Sequence, residues 1–417
     1  MNPTKNPRAQ WLLLALLVSL TAFAAISLGH LGEPASPSVE DDSRKVLTPT
    51  EGEEVEVSQE DPQTRSLEVD PQANIPRIEA VFVLDTTGSM GGLIEGAKQK
   101  IWSIANRLLD GTPQPEVRLG LVGYRDRGDE YVTRRQDLTD DVDTVYAQLR
   151  AFQAHGGGDT PESVNQALHE AVTLFDWSED PSVYRVIFLV GDAPPKQYPD
   201  DVPYRDSLAM AQDKGILVNT IQCGNHGPTQ QVWAEIASFG QGQFTAIAQS
   251  GGMVATSTPM DAELSRLNRL VAKTMVAWGD RRQRHDLRAK QKRAVEAGDS
   301  VASERLSYLS KKGGKVNSGR SDLVDALENG EVAFEELDRS ALPAELQSYS
   351  QEELKGHLAE QSRQRRELQR QIRELVESRD AYLRESLKES AEREENSFDA
   401  QVVETLRVQA KAKGIDY

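Results

Sequence analysis

Residues 79–84 read Glu79-Ala80-Val81-Phe82-Val83-Leu84, and residues 85–89 continue as Asp85-Thr86-Thr87-Gly88-Ser89. Five consecutive apolar residues without polar alternation predict a strand buried on both faces, as in a parallel sheet. The switch at Asp85 to short polar residues and a glycine predicts a tight loop at the carboxyl end of that strand. Beyond Ser89 the chain alternates between helical and strand patterns. Apolar spacing predicts a helix over 93–109, a strand over 117–124, a short antiparallel edge strand over 131–137, and helices over 142–152 and 161–174. Pro161 suits a first helical turn, where a missing N–H costs nothing. Strands are expected at 184–190, 216–222 and 243–247, and helices at 204–213, 231–239 and 261–278. This pattern predicts an α/β fold with a doubly wound, mostly parallel sheet over residues 78–280. In such sheets ligands sit at the carboxyl ends of the strands, where strand order reverses.

Three loops are expected there: 85–89, Gly156-Gly157-Gly158-Asp159-Thr160-Pro161, and Gly191-Asp192-Ala193-Pro194-Pro195. Asp85, Thr87, Ser89, Thr160 and Asp192 offer only oxygen. Hard oxygen donors on short side chains suit Mg²⁺ first, with Mn²⁺ and Ca²⁺ as alternatives, and do not suit zinc or copper. Positions 85, 87 and 89 converge if Gly88 allows a tight turn, and the glycines at 156–158 let backbone approach the same point. Two carboxylates and three hydroxyls leave room for an outside oxygen, which an Asp or Glu of a protein partner would supply. Asp159 is placed behind the ligands or as an alternative ligand. Tyr124, Arg125 and Asp126 end a strand at the same edge, either as a salt-bridged loop or as a rim touching a partner. His155 is read as loop packing, His226 as part of a turn, and Cys223 as a small buried hydrophobe.

The run D-T-T-G-S, the later loop threonine and the later G-D after an apolar strand resemble the metal-ion-dependent adhesion site of von Willebrand factor type A domains, whose pattern is D-x-[S/T]-x-S, then T, then D. The resemblance covers residues 78–280. It implies a doubly wound sheet with one antiparallel edge strand. It also implies that Thr87, Ser89 and Thr160 bind metal directly, and that Asp85 and Asp192 bind directly or through water. Thr87 stands where serine is commoner, and G-D-A-P-P stands where T-D-G is commoner. The set G-Y-R-D, G-G-G-D-T-P-E and G-D-A-P-P is similar to the subgroup found in bacterial exported proteins and beside alpha-kinases, although no kinase-like segment is present. The tail resembles that of bacterial envelope proteins with this domain, which brings no activity with it.

The flanks place the domain. Lys5 and Arg8 precede an apolar run at 11–28 that contains Ala22-Phe23-Ala24. Residues 1–30 are therefore expected to be a cleaved signal peptide or a membrane anchor. Either implies an extracytoplasmic location in the periplasm or cell envelope, anchored at the inner membrane or secreted. Residues 31–77, rich in proline and acid, are expected to form a disordered linker. Residues 281–417 are expected to form a helical C-terminal region. Within it, 351–394 is one charged helix of about 60 Å at the standard rise. Its apolar stripe is interrupted at Ser362, Arg365 and Arg379, so a coiled coil is an open alternative there rather than a reading.

With 66 acidic and 48 basic residues, the net charge is -18, which disfavours nucleic acid as a partner. The single cysteine excludes an intrachain disulfide and a cysteine-paired zinc site. The function expected is metal-dependent protein binding, in adhesion or assembly at the envelope, and not catalysis. The alternatives are a scaffold that self-associates through the C-terminal helix and, behind it, a metal-dependent hydrolase using His155 or Asp159.

Overall fold

The computed structural model describes residues 75–158, 160–394 and 396–417. The export or anchor segment at 1–30, nearly all of the acidic linker and Asp159 lie outside the described residues. Among the described residues no helix is long and apolar enough to cross a membrane.

Six strands form one sheet: β1 (Arg77–Asp85), β2 (Glu116–Tyr124), β3 (Thr133–Thr139), β4 (Tyr184–Gly191), β5 (Ile216–Cys223) and β6 (Gln241–Ile247). Their order is β3-β2-β1-β4-β5-β6. Every neighbouring pair is parallel except β2 with β3, the antiparallel edge. β1 and β4 are central, which explains their unbroken apolar runs: both faces of each are covered. The period of two is visible in the cores. Phe82, Leu84, Phe188 and Val190 enter one cluster, while Val81, Val83, Ile187 and Leu189 enter the other.

The first face is covered by α1 (Gly91–Leu108) and α2 (Val142–Ala151), the second by α3 (Val164–Thr173), α4 (Tyr204–Asp213) and α5 (Gly227–Phe239). The chain then passes through α6 (Asp261–Ala272), α7 (Arg281–Glu296), α8 (Asp299–Lys311), α9 (Leu323–Glu328), α10 (Ala344–Gln347), the long α11 (Gln351–Glu394) and α12 (Phe398–Gln409). α12 returns to the sheet. Phe398, Val402 and Leu406 join the first-face core, with the Phe398 ring 6.1 Å from that of Phe82. Gln409 is sewn to β4 and β5: its amide donates to Asn219 at 2.8 Å and accepts from the Tyr184 hydroxyl at 2.7 Å. Asp416 then forms an antiparallel bridge with Thr112. The division expected at residue 280 is not a boundary of packing, because the described residues all belong to one compact unit.

Three expected elements differ. α6 ends at Ala272 rather than near 278, because Asp322 and Arg365 take the backbone groups of Val276 and Thr274. α3 starts at Val164 rather than Pro161, since residue 162 is drawn into a bridge with Pro195. Within the C-terminal region expected to be helical, residues 332–337 hold only a short 3₁₀ turn at Phe334–Glu336. The stripe of α11 faces its own chain: Leu354 and Leu358 pack with α9 and α10, and Ile372 and Val376 with α6, α7 and α8. Two of its three interruptions, Arg365 and Arg379, are buried charges. Arg365 meets Asp322 and Asp325 at 2.8 and 2.6 Å, and Arg379 meets Asp261 and Glu304, both at 2.9 Å.

Candidate functional site

The strand order reverses between β1 and β4, so the crevice lies where Asp85 ends one strand and Asp192 follows the other. Close packing beneath it is set by Gly191. A methyl there would sit 3.0 Å from the Asp85 Cβ, so only glycine lets the two strand ends approach this closely.

Backbone hydrogen bonds tie the three loops together. Gly88 N–H donates to the Gly156 carbonyl at 3.2 Å, and His155 N–H donates to the Thr86 carbonyl at 3.2 Å. Glu162 N–H donates to the Pro194 carbonyl at 3.0 Å, and Lys196 N–H donates to the Glu162 carbonyl at 2.8 Å. The second loop is thus zipped to the first on one side and to the third on the other. Thr87, Ser89, Thr160 and Asp192 line one cleft of about 440 Å³. Asp85 is fully buried next to it. The Thr87 hydroxyl and N–H donate to Asp85 Oδ1 at 2.6 and 2.8 Å, and the Thr87 and Ser89 hydroxyls lie 3.4 Å apart. The five candidate ligands are therefore brought to one place.

The residues read as a rim are not on the surface. Tyr124, Arg125 and Asp126 are buried. Tyr124 is in the second-face core, its hydroxyl 3.4 Å from the Val190 carbonyl. Arg125 donates to the Thr86 carbonyl at 3.2 Å and to the Gln153 carbonyl at 2.6 Å, clamping the first and second loops from beneath. Asp126 accepts from Lys196 at 2.6 Å, Tyr198 at 2.8 Å and Ser163 at 3.1 Å. His155 is exposed, His226 bonds Thr229 at 2.7 Å, and Cys223 is buried in the core.

Two further groups at the cleft carry no clear mark in the sequence. Gln249, in the turn after β6, donates to Asp192 Oδ2 at 2.6 Å and to the Ser89 carbonyl at 3.3 Å. Its distance in sequence from every candidate ligand leaves no signal. Glu162 also lines the cleft and is buried. The T-P-E spacing, which puts an acid two residues after Thr160, is the available clue.

The site is short of positive charge. Burial first, and then the charge of Asp192, push the Asp85 carboxyl up to about 7 against the pull of its bonds to Thr87. Burial and the charges of Asp85, Asp126, Asp129 and Asp192 push Glu162 up to about 9. Burial also raises Asp126, but Lys196, Tyr198, the Arg127 N–H and Ser163 outweigh it and hold that carboxyl below the usual range. Asp85 Oδ2 and Glu162 Oε2 are buried without a hydrogen-bond partner. A buried carboxylate oxygen without a donor is costly unless a cation meets it. The donor set, two carboxylates and three hydroxyls, fits a hard divalent ion held by Asp85, Thr87, Ser89, Thr160 and Asp192. Among the described residues no three carboxylate, imidazole or thiol groups lie close enough to hold a metal ion between them. Any ion here would depend on the hydroxyls.

A family model described as von Willebrand factor A domain matches residues 79–258. Von Willebrand factor A domain-containing protein 7 of Homo sapiens is 35% identical over 133 residues, which are 32% of this chain and 13% of that protein. Hemicentin-2 of Mus musculus is 31% identical over 167 residues, 39% of this chain and 3% of that one. The chain thus spans about an eighth or less of the length of these relatives. Among solved structures, proximal thread matrix protein 1 from the mussel byssus aligns at 16% identity over 42% of each chain, with a TM-score of 0.34. A second structure of that protein, described with a zinc-occupied MIDAS motif, aligns with the same values. Residues 79–258 of this chain are a von Willebrand factor A domain, and the rest of the described chain is packed around it.

Proposed function

We propose that this domain captures a protein partner through a divalent cation held by Asp85, Thr87, Ser89, Thr160 and Asp192, with a partner's Asp or Glu completing the ion's coordination. Domains of this family generally mediate protein–protein interactions, which favours binding over catalysis. The observation that carries the metal is Asp85 Oδ2, fully buried and without a hydrogen-bond partner, on a residue bonded to Thr87, which lines the oxygen-rich cleft. Bound there, the ion supplies Lewis acidity toward an incoming oxygen ligand. The chain's own part is to orient that ion. Thr87 N–H and hydroxyl fix one Asp85 oxygen, and Gln249 fixes one Asp192 oxygen. Hard oxygens on short side chains favour Mg²⁺. The basic-then-apolar N-terminus supports an extracytoplasmic site of action at a bacterial envelope, and the bacterial subgroup motifs agree with it.

The test combines calorimetric titration of the full chain with Mg²⁺ and capture of envelope proteins with and without EDTA. Mg²⁺ binding and EDTA-sensitive capture are expected, both lost in Asp85→Ala and Asp192→Ala while the circular dichroism of the fold persists. Capture that survives EDTA, or a wild type that binds no divalent ion, overturns the reading.

A further inference from the structure

We infer that Glu162 is a third carboxylate of the cation site, acting on the ion's bound water rather than on the ion itself, and that it biases the site toward Mg²⁺ over Ca²⁺. The inference rests on the cation-dependent reading above.

Glu162 is 3% exposed, and its Oε2 has no hydrogen-bond partner. Its side chain lines the same cleft as Thr87, Ser89, Thr160 and Asp192. A methyl placed on Gly157 would lie 3.3 Å from Glu162 Oε1 and 3.2 Å from Thr87 Cβ. Glu162 and Thr87 therefore face the same side of Gly157, with no room for a side chain between them. Its backbone is pinned on both sides, by Pro194 and Lys196 of the loop that carries Asp192.

Such a carboxylate needs something positive or a donor. The charges facing it from the neighbouring elements are the acids Asp85, Asp126, Asp129 and Asp192. Nearby Lys196 donates to Asp126. The described residues include no three-carboxylate set able to hold one ion, which rules against Glu162 as one more direct ligand beside Asp85 and Asp192. A water bound to the cation would meet both conditions, because it would donate a hydrogen bond polarised by the ion. Mg²⁺ holds its waters tightly in a near-octahedral shell, whereas Ca²⁺ exchanges them readily for other oxygens. A fixed acceptor in the outer shell therefore favours the smaller ion.

The experiment is calorimetric titration of Mg²⁺ and Ca²⁺ into the full chain, as wild type, Glu162→Gln, Glu162→Asp and Asp85→Ala, with thermal melts of each metal-free protein. The amide preserves shape, and loss of a partner of this kind typically lowers metal affinity about 10–100-fold. Glu162→Gln is expected to show that loss for Mg²⁺ and a smaller one for Ca²⁺. Glu162→Asp keeps the charge but withdraws it by one methylene, and is expected to lose part of the same preference. Mg²⁺ affinity unchanged in Glu162→Gln overturns this inference while leaving the metal site standing. Equal loss for both ions overturns the role through water. A wild type that binds neither ion removes the site itself, and this inference with it.

Discussion

Gly191 and Asp85 make the site's geometry and its electrostatics accountable to single atoms. A methyl at 191 would meet the Asp85 Cβ at 3.0 Å and press on the Tyr124 hydroxyl and the Trp233 ring, all of them buried. Gly191→Ala is expected to cost about 1–3 kcal/mol in urea denaturation, the usual range for overpacking a full core. On the proposed reading it should also weaken Mg²⁺ binding, because the methyl pushes on Asp85. Asp85 behaves the other way. Its unpartnered oxygen makes it a burden in the metal-free fold. Asp85→Asn is therefore expected to leave the metal-free melting temperature unchanged or raised. It should erase the rise that the wild type shows with saturating Mg²⁺, which at a hundredfold excess over Kd corresponds to about 2.7 kcal/mol. A variant that melts earlier than wild type without metal would show that Oδ2, like Oδ1, has a structural partner. Glu162 is harder to read than either. An acid after a proline in a loop looks solvated in the sequence, and its burial comes from a bridge to Pro195 that no local pattern announces.

Among the helices, α11 and α8 carry their argument in buried arginines. Arg305 of α8 is 1% exposed and donates to both oxygens of Asp143 in α2, at 2.8 and 3.1 Å. Burial alone would raise the Asp143 carboxyl, but the charge and hydrogen bonds of Arg305, the Ser318 N–H and the charge of Lys290 outweigh it and hold it below the usual carboxylate range. A depressed folded-state carboxyl contributes stability that is present above its unfolded value of about 4 and is lost as pH falls through the folded value. Wild-type stability should therefore drop below about pH 4. Arg305→Met leaves Asp143 buried and short of a cation, at a cost of about 3–5 kcal/mol near neutrality. In that variant acid neutralises the orphaned carboxylate, so its deficit against wild type should shrink as pH falls toward 3, as read by denaturation at each pH. A deficit that stays constant with pH would mean lost packing rather than lost pairing. The same pairing explains what the sequence hides. The central strands are legible because β1 and β4 each carry five consecutive apolar residues, 80–84 and 186–190. The turn at Gly191 is legible because residue type there is forced by the close approach of Asp85 and Tyr124. Arg365 and Arg379 read as breaks in a stripe, although they are its most buried members. The end of α6 is not legible, because Asp322 and Arg365, which fix it, lie far along the chain. Nor is α8, because a Ser-rich segment with an inward arginine has a weak apolar period.

At the scale of the molecule, the family match ends at 258 but the fold does not. The sheet face that carries Phe82 and Phe188 is completed by α12, almost at the end of the chain. Phe398, Val402, Leu406 and Ala410 are each at most 2% exposed, and each large apolar side chain so buried stabilises by about 1.5–3 kcal/mol. The intervening helices are tied to the domain by buried charge pairs, Arg305 to Asp143 and Arg379 to Asp261. Cutting after residue 280, where composition turns basic, therefore does not free an intact domain. It leaves Asp143 and Asp261 without their arginines and opens the first-face core to water. Such a fragment is expected to aggregate, or to unfold with a smaller dependence on urea than the full described chain, because less surface remains to be exposed. Removal of 396–417 alone is the sharper experiment, since it spares the buried arginine pairs of α11 and α8 while stripping the α12 cover, the Gln409 bonds to Tyr184 and Asn219, and the Thr112 to Asp416 bridge. It should still lower stability by several kcal/mol and broaden size-exclusion profiles, as an uncovered sheet face seeks another surface. If that truncated chain stays monomeric and melts like the full one, α12 is an ornament on a self-sufficient domain, and the helical region would have to be explained by something other than completing the fold.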